Sequence, residues 1–395
     1  MAAATGLLDP DGTARPTVFA EMSALAARTG ALNLGQGFPD VDGPHAVARL
    51  AADAILDGVN QYPPGPGTAE LRAAVATHQR VRYGLEVDPG TQVLVTTGAT
   101  EALAAAVLAL ASPGDEVLTL EPYYDSYAAV VAMAGATHTT APLRPTADGF
   151  RLDVAALERA VTPRTRLLLL NSPHNPTGAV LRADELAAVA RVAVEHDLLV
   201  VTDEVYEHLV FGVAHVPVAT LPGMAERTLT VSSSGKTFSF TGWKIGWVTG
   251  PAALVAAVRT VKQFLTYVSG APFQPAVAHA LTDPAALAWV DELVVSLAER
   301  RDLLSDGLRD AGFDVVRPDG TYFVLADAAG LGATDGAAFC RALPGRAGVV
   351  AVPVTAFTRA GSPTHAALRT WVRFTFVKRR DVLEDAVARL SRAFG

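Results

Sequence analysis

Between residues 91 and 250, short β-branched runs at 92–96, 116–120, 165–170, 198–202, 228–231 and 246–249 alternate with helical patterns such as 101–111 and 183–196. Strands that are apolar throughout must be covered on both faces, and a helix between successive runs is the connection parallel strands require. The pattern predicts an α/β fold, a mostly parallel sheet covered by helices. In such open sheets ligands collect outside the carboxyl ends of the strands, so the residues that follow each run are the ones to read for chemistry.

The pattern changes after Thr282-Asp283-Pro284, where Asp283 can cap a helix and Pro284 suits its first turn. A long amphipathic stretch then runs towards Gly312, followed by strand-like runs at 321–326, 349–352 and 371–377 and a closing helix at 381–394. These read as a smaller α+β domain, with the segment before about Asp42 packing beside it. The expected division is 1–45 as an arm and part of the small domain, 46–284 as the large domain and 285–395 as the small one.

Composition narrows the partners. A formal net charge of -8 with no basic stripe argues against nucleic acid or an anionic membrane and favours a small molecule. One cysteine, Cys340, leaves no internal disulfide, and nine scattered histidines offer no metal-ligand spacing, so no metal is expected. The start, Met1 to Gly6, lacks the basic and apolar features of a secretory signal, and no apolar run reaches the length of a membrane span. A cytoplasmic protein is expected.

The chain holds four lysines, and two of them, Lys236 and Lys244, lie within nine positions of each other. Arginine supplies nearly all the other positive charge. A lysine set among small residues and aromatics, in Ser233-Ser234-Gly235-Lys236-Thr237-Phe238, points to a need for a primary amine, because only an amine condenses with a carbonyl. Lys236 is therefore the first candidate for covalent chemistry.

Other candidates follow the strands. Thr96-Thr97-Gly98-Ala99-Thr100-Glu101 opens a helix whose free N–H groups suit a phosphate, or it is an ordinary capped turn. Asp203, with Tyr206 three residues on, can hold a heterocyclic nitrogen protonated while the phenol bonds a neighbouring oxygen; equally, each can be explained as a cap and a packed ring. Asn171-Ser172-Pro173-His174-Asn175-Pro176-Thr177-Gly178 is a tight turn in which the Asn175 amide can reach a ligand. Arg373 interrupts the otherwise apolar strand Trp371-Val372-Arg373-Phe374, so its guanidinium needs either a ligand carboxylate or a structural salt bridge.

Together with Asn33-Leu34-Gly35-Gln36-Gly37-Phe38-Pro39-Asp40 and Asn60-Gln61-Tyr62, these elements occur in the order found in fold-type I pyridoxal-phosphate aminotransferases. From about Val18 onward the chain resembles the subgroup that holds kynurenine and glutamine transaminases and the actinobacterial N-succinyldiaminopimelate aminotransferases. The resemblance implies a large domain with a seven-stranded sheet, pyridoxal 5'-phosphate as cofactor, and a homodimer with shared active sites.

It also implies roles. Lys236 would bond the cofactor covalently and, once released, move the proton between the substrate α-carbon and the cofactor. Asp203 would pair with the pyridinium nitrogen, Asn175 and Tyr206 would hold the phenolate oxygen, and Tyr124 would stack on the ring. Ala99, Thr100, Ser233 and Lys244 match the phosphate cradle, although many relatives carry arginine where Lys244 stands. Arg373 matches the clamp on the substrate carboxylate, with Gly37 and Asn175 beside it. Tyr62 and Tyr267 match residues given by a neighbouring subunit.

The turn residues and Asn60-Gln61-Tyr62-Pro63-Pro64-Gly65-Pro66-Gly67 look most like the enzymes acting on N-succinyl-LL-2,6-diaminopimelate with 2-oxoglutarate and glutamate. Kynurenine or glutamine transamination with cysteine-conjugate β-lyase activity is the rival, since Tyr62, Tyr124, Tyr267 and Phe357 would line an aromatic pocket. An amino-acid oxidase on the same scaffold would consume oxygen, and no residue demands it. A cofactor-sensing regulator would need a DNA-binding segment ahead of the domain, for which too few residues precede Val18.

Overall fold

An eight-stranded sheet forms the centre of the computed structural model, which describes residues 7–9 and 11–395. Met1 to Gly6, where a secretory signal was sought, lie outside the described residues. The strands in chain order are β1 (Leu32–Asn33), β2 (Val93–Thr96), β3 (Glu116–Glu121), β4 (Thr137–Thr146), β5 (Gly149–Leu152), β6 (Thr165–Asn171) and β7 (Leu199–Asp203). They continue with β8 (Thr228–Ser233), β9 (Gly246–Thr249), β10 (Asp314–Val316), β11 (Phe323–Asp327), β12 (Val349–Val350), β13 (Val352–Pro353) and β14 (Trp371–Thr375).

The central order is β2-β9-β8-β7-β6-β3-β4-β5. Pairings from β8 through β7, β6 and β3 to β4 are parallel, whereas β9 runs antiparallel to both neighbours. The expected seven strands are present, and β5 adds an eighth by folding back on the far half of β4 from Leu143 to Thr146. Alternation assigns the faces: Leu118, Leu168, Leu170 and Val200 enter one core, while Val117, Leu167, Leu169 and Val201 enter the other. Consecutive residues are buried on opposite sides, which is why these runs are apolar at every position.

A second sheet, β10-β11-β14-β13, is wholly antiparallel. The helix Pro284–Asp310 leads into it; the Asp283 side chain accepts from Ala286 N at 2.9 Å and Pro284 occupies the first turn. The N-terminal helix Val18–Thr29 shares a core with this sheet through Met22 and Ala26, and β1 pairs in parallel with β12. Beyond β1 the chain is tied on by Leu34, whose N–H donates to Val350 O at 3.0 Å and whose carbonyl accepts from Thr375 N at 2.8 Å.

Two expected strands change shape for local reasons. The run at 321–326 becomes strand only from Phe323, because Thr321 is left-handed at φ 64. The run at 349–352 divides into β12 and β13, which pair with different neighbours.

Candidate active site

At the carboxyl ends of β6, β7 and β8 a cavity of about 350 Å³ opens, lined also by the start of the helix Gly98–Leu110 and by Gln36 to Phe38. Asn175, Asp203, Tyr206, Ser233, Lys236, Lys244, Ala99, Thr100, Tyr124, Gly37 and Arg373 all line it. Three of the sequence candidates do not. Phe357 is fully buried, and Tyr62 and Tyr267 stand together on the surface, 79% and 45% exposed with ring centroids 5.3 Å apart.

The helix start is built for an anion. Gly98 begins the helix, so the N–H groups of Ala99 and Thr100 have no carbonyl one turn back to bond. A Cβ on Gly98 would lie 3.3 Å from both Cε and Nζ of Lys244, which places that ammonium beside the positive end of the helix dipole. A Cβ on Gly246 would lie 2.7 Å from the Gly98 carbonyl carbon, so only glycine lets β9 press this close. Lys244 itself is left-handed at φ 56 and has no ion-pair partner among the described residues. Two positive elements brought together without a counter-charge fit a phosphate.

Asp203 ends β7 and is 5% exposed. Burial raises its carboxyl to about 6, although the Tyr127 hydroxyl, which donates to Oδ2 at 2.6 Å, pulls the other way. Asn171 stitches the neighbouring strand end to it: Nδ2 donates to Asp203 O at 2.7 Å, and Oδ1 accepts from Asn175 N at 2.7 Å. The Asn175 Oδ1 in turn accepts from Arg373 Nη1 at 3.0 Å, which leaves the amide Nδ2 as the donor available to the cavity.

Arg373 sits in the middle of β14, between Leu325 and Val352, and is 1% exposed. Its other contact is Nη2 to Gly35 O at 2.8 Å, and Nε lacks a partner. Among the described residues no carboxylate forms a salt bridge with it, so the structural alternative left open by the sequence is not the one realised. Instead the guanidinium lies 4.0 Å from the Phe323 ring centroid, 4.7 Å from Phe357 and 5.3 Å from Phe19. Burial lowers its pKa to about 10, which still leaves a cation at neutral pH. Phe357 thus touches the site through Arg373.

Lys236 Nζ donates to Tyr322 Oη at 2.9 Å. Sequence reading passed over Tyr322, Tyr127 and Asn171. Only Asn171 carried a local signal, as a polar residue at the end of an apolar strand; the two tyrosines act across 76 and 86 positions. Away from the cavity the fold also gathers His78, Glu207 and His208, whose ligand-type atoms all lie within 4.8 Å. Spacing along the chain could not show that cluster, because His78 and His208 are 130 positions apart.

A half-buried lysine, a buried acid, a helix start with free N–H groups and a buried arginine without an acid partner, gathered at the carboxyl edge of this sheet, define a fold-type I pyridoxal-phosphate enzyme. The residues present fit that cofactor: an acid for its ring nitrogen, amide and phenol donors for its oxygen, and unmatched positive charge for its phosphate. The chain belongs to the aminotransferase class I and II family, whose model matches residues 29–390, and it is an aminotransferase.

A probable N-succinyldiaminopimelate aminotransferase of Mycobacterium tuberculosis is 60% identical over 95% of both chains. The solved structure of N-succinyldiaminopimelate aminotransferase from that organism superposes with a TM-score of 0.92 at 59% identity, covering 96% of this chain and 97% of that one. A mouse kynurenine–oxoglutarate transaminase is 38% identical over 95% of this chain and 88% of its own.

Proposed function

We propose that the enzyme moves an amino group between N-succinyl-LL-2,6-diaminopimelate and 2-oxoglutarate, with glutamate as the other amine partner. The identity of 60% across nearly the whole of both chains carries this reading, against 38% for the kynurenine transaminase.

Pyridoxal phosphate, when bound, supplies a carbonyl that condenses with amines and a ring that takes up the electron pair left when a C–H bond breaks. The remaining work belongs to the side chains. Arg373 binds the substrate α-carboxylate with the donors it does not spend on Asn175 and Gly35, and so orients the α C–H bond. Lys236 moves the proton between that carbon and the cofactor. Asp203, kept in place by Tyr127 and backed by Asn171, would hold a proton on the ring nitrogen. Asn175 and Tyr206 would hold the ring oxygen, Tyr124 would pack against the ring, and Ala99, Thr100, Ser233 and Lys244 would hold the phosphate.

The same reading takes the enzyme as a cytoplasmic homodimer in which the exposed Tyr62 and Tyr267 reach the neighbouring subunit's cavity. Among the described residues no helix is long and apolar enough to cross a membrane. It also takes residues 46–284 as the cofactor-binding domain and 1–45 with 285–395 as the parts around the second sheet.

The test is one half-reaction, followed by absorbance of the cofactor-loaded protein with N-succinyl-LL-2,6-diaminopimelate, kynurenine or glutamate. Rapid bleaching with the first and third alone is expected. Bleaching with kynurenine and none with the succinylated compound would transfer the enzyme to the aromatic and glutamine transaminases.

A further inference from the structure

The free amine of Lys236 has a seat of its own. The Tyr322 hydroxyl that receives Nζ at 2.9 Å lies 2.6 Å from the Gly37 carbonyl. A carbonyl only accepts, so the single phenolic proton goes to Gly37, and in the other bond the amine must donate. The direction of both bonds is therefore fixed.

The ring that carries this hydroxyl has little freedom. Tyr322 is 1% exposed and packed edge-on against Tyr206, 5.3 Å away at 89°, and against Phe323 at 4.8 Å. Nζ of Lys236 lies 5.6 Å from its centroid and 5.7 Å from that of Tyr206. The residue before it, Thr321, is β-branched, fully buried and left-handed at φ 64, a conformation that costs energy and persists only where surroundings impose it. Here the Thr321 N–H donates to Leu209 O at 2.8 Å, and its hydroxyl accepts from Phe323 N at 3.2 Å. Strain at that turn is held from both sides, and it sets where the Tyr322 ring can go.

We infer that Tyr322 is a positioning residue that holds Lys236 Nζ whenever this nitrogen is not bonded to the cofactor. A neutral amine has two N–H bonds and one lone pair; with one N–H committed to Tyr322, the lone pair is left to take the α proton. In that step the substrate C–H bond breaks, an N–H bond forms, and the electron pair stays with the carbon. Because Gly37 belongs to the N-terminal arm and Tyr322 leads into β11, the seat exists only when arm, second sheet and lysine are in register. The inference rests on the role proposed for Lys236.

A double-mutant cycle on the cofactor-loaded enzyme tests it. Tyr322→Phe is expected to lower kcat about tenfold with KM within about twofold, the loss of one hydrogen bond to the reacting nitrogen. The isotope effect with α-deuterated substrate should rise, while binding of pyridoxamine phosphate, which leaves the lysine free of any covalent bond, should change little. In Lys236→Ala rescued by methylamine, adding Tyr322→Phe should leave the rescued rate within about twofold. A further tenfold fall in the rescued rate, or a wild-type kcat and isotope effect in Tyr322→Phe, would overturn the inference. Should Tyr322→Phe not fold, site-specific 3-fluorotyrosine keeps both bonds but weakens the acceptor; a raised isotope effect supports the seat, and an unchanged one removes it. Full turnover by Lys236→Ala without added amine would sink the role of the lysine, whatever Tyr322 does.

Discussion

Two buried polar regions diverge from a single turn. Asp203 and Tyr206 point into the cavity, while Glu207 and His208 point away from it, towards the helix Ala69–Tyr83. In the rear region Glu207 accepts from the Tyr83 hydroxyl at 2.6 Å and from the Ser232 hydroxyl, and His78 Nε2 lies 3.0 Å from His208 Nε2. Burial would raise the Glu207 carboxyl, but the two imidazoles and the two hydroxyls outweigh it and bring it to about 2. In the front region burial wins, Asp203 rises to about 6, and the buried Arg373 has no acid to pair with among the described residues, while Lys244 reaches the same cavity from an exposed position. Burial of charge alone therefore does not mark a site. What marks it is polarity that the protein leaves unmatched, since an unpaired buried cation is retained only where a ligand completes it.

The contrast can be broken most severely at the lysine. Lys236→Ala should cut turnover by about 10³-fold or more, the scale of losing a positioned acid–base group, with melting temperature nearly unchanged. Arg373→Ala should lower kcat/KM about 10²- to 10³-fold through loss of charge-assisted bonds to the substrate, and mostly in KM. Steady-state kinetics at varied substrate separates the two.

The rear region should behave in the opposite way. Glu207→Gln leaves a hydroxyl facing an amide N–H, and should cost about 1–3 kcal/mol in chemical denaturation while activity per folded molecule stays within about threefold. A tenfold loss of activity at full stability would erase the distinction. The two regions also differ in the sign of their pH dependence. Burial holds His208 of the rear region down to about 3, and His174 in the turn before Asn175 likewise, so between there and about 6.5 the unfolded chain binds protons that the native protein refuses, and their contribution is lost as pH falls. Asp203, raised to about 6, contributes below 3.8 and loses that contribution as pH rises through its folded value. Stability should therefore rise from pH 4 towards about 6.5 because histidines outnumber the one acid, and His208→Gln should flatten the curve. The smallest effect is expected at Phe357→Leu, a loss of about 1–2 kcal/mol in stability and a few-fold fall in kcat/KM, because the ring supports Arg373 without entering the cavity.

Much of the frame was legible because each buried strand is a short apolar run set between helical patterns. β4 escaped because its sequence, Thr137 to Thr146, mixes exposed and half-buried threonines with prolines at an outer position of the sheet. Lys236, Asp203, Asn175 and Arg373 were legible because each breaks its local composition. Tyr127 and Tyr322 were not, since a tyrosine near apolar residues looks like core until the fold shows what its hydroxyl meets. The same holds for the rear cluster, in which His78 and Glu207 come from opposite ends of a long separation and no local pattern connects them.

The left-handed backbone of Lys244 sets evolution and engineering against each other. A glycine there would relieve about 1–2 kcal/mol of steric cost, so selection for heat resistance alone would be drawn to Lys244→Gly. Part of that gain goes to the added freedom of the unfolded chain, and on the role proposed for Lys244 the variant should hold phosphate more weakly, so a stabilised library should be screened for cofactor retention as well as for survival.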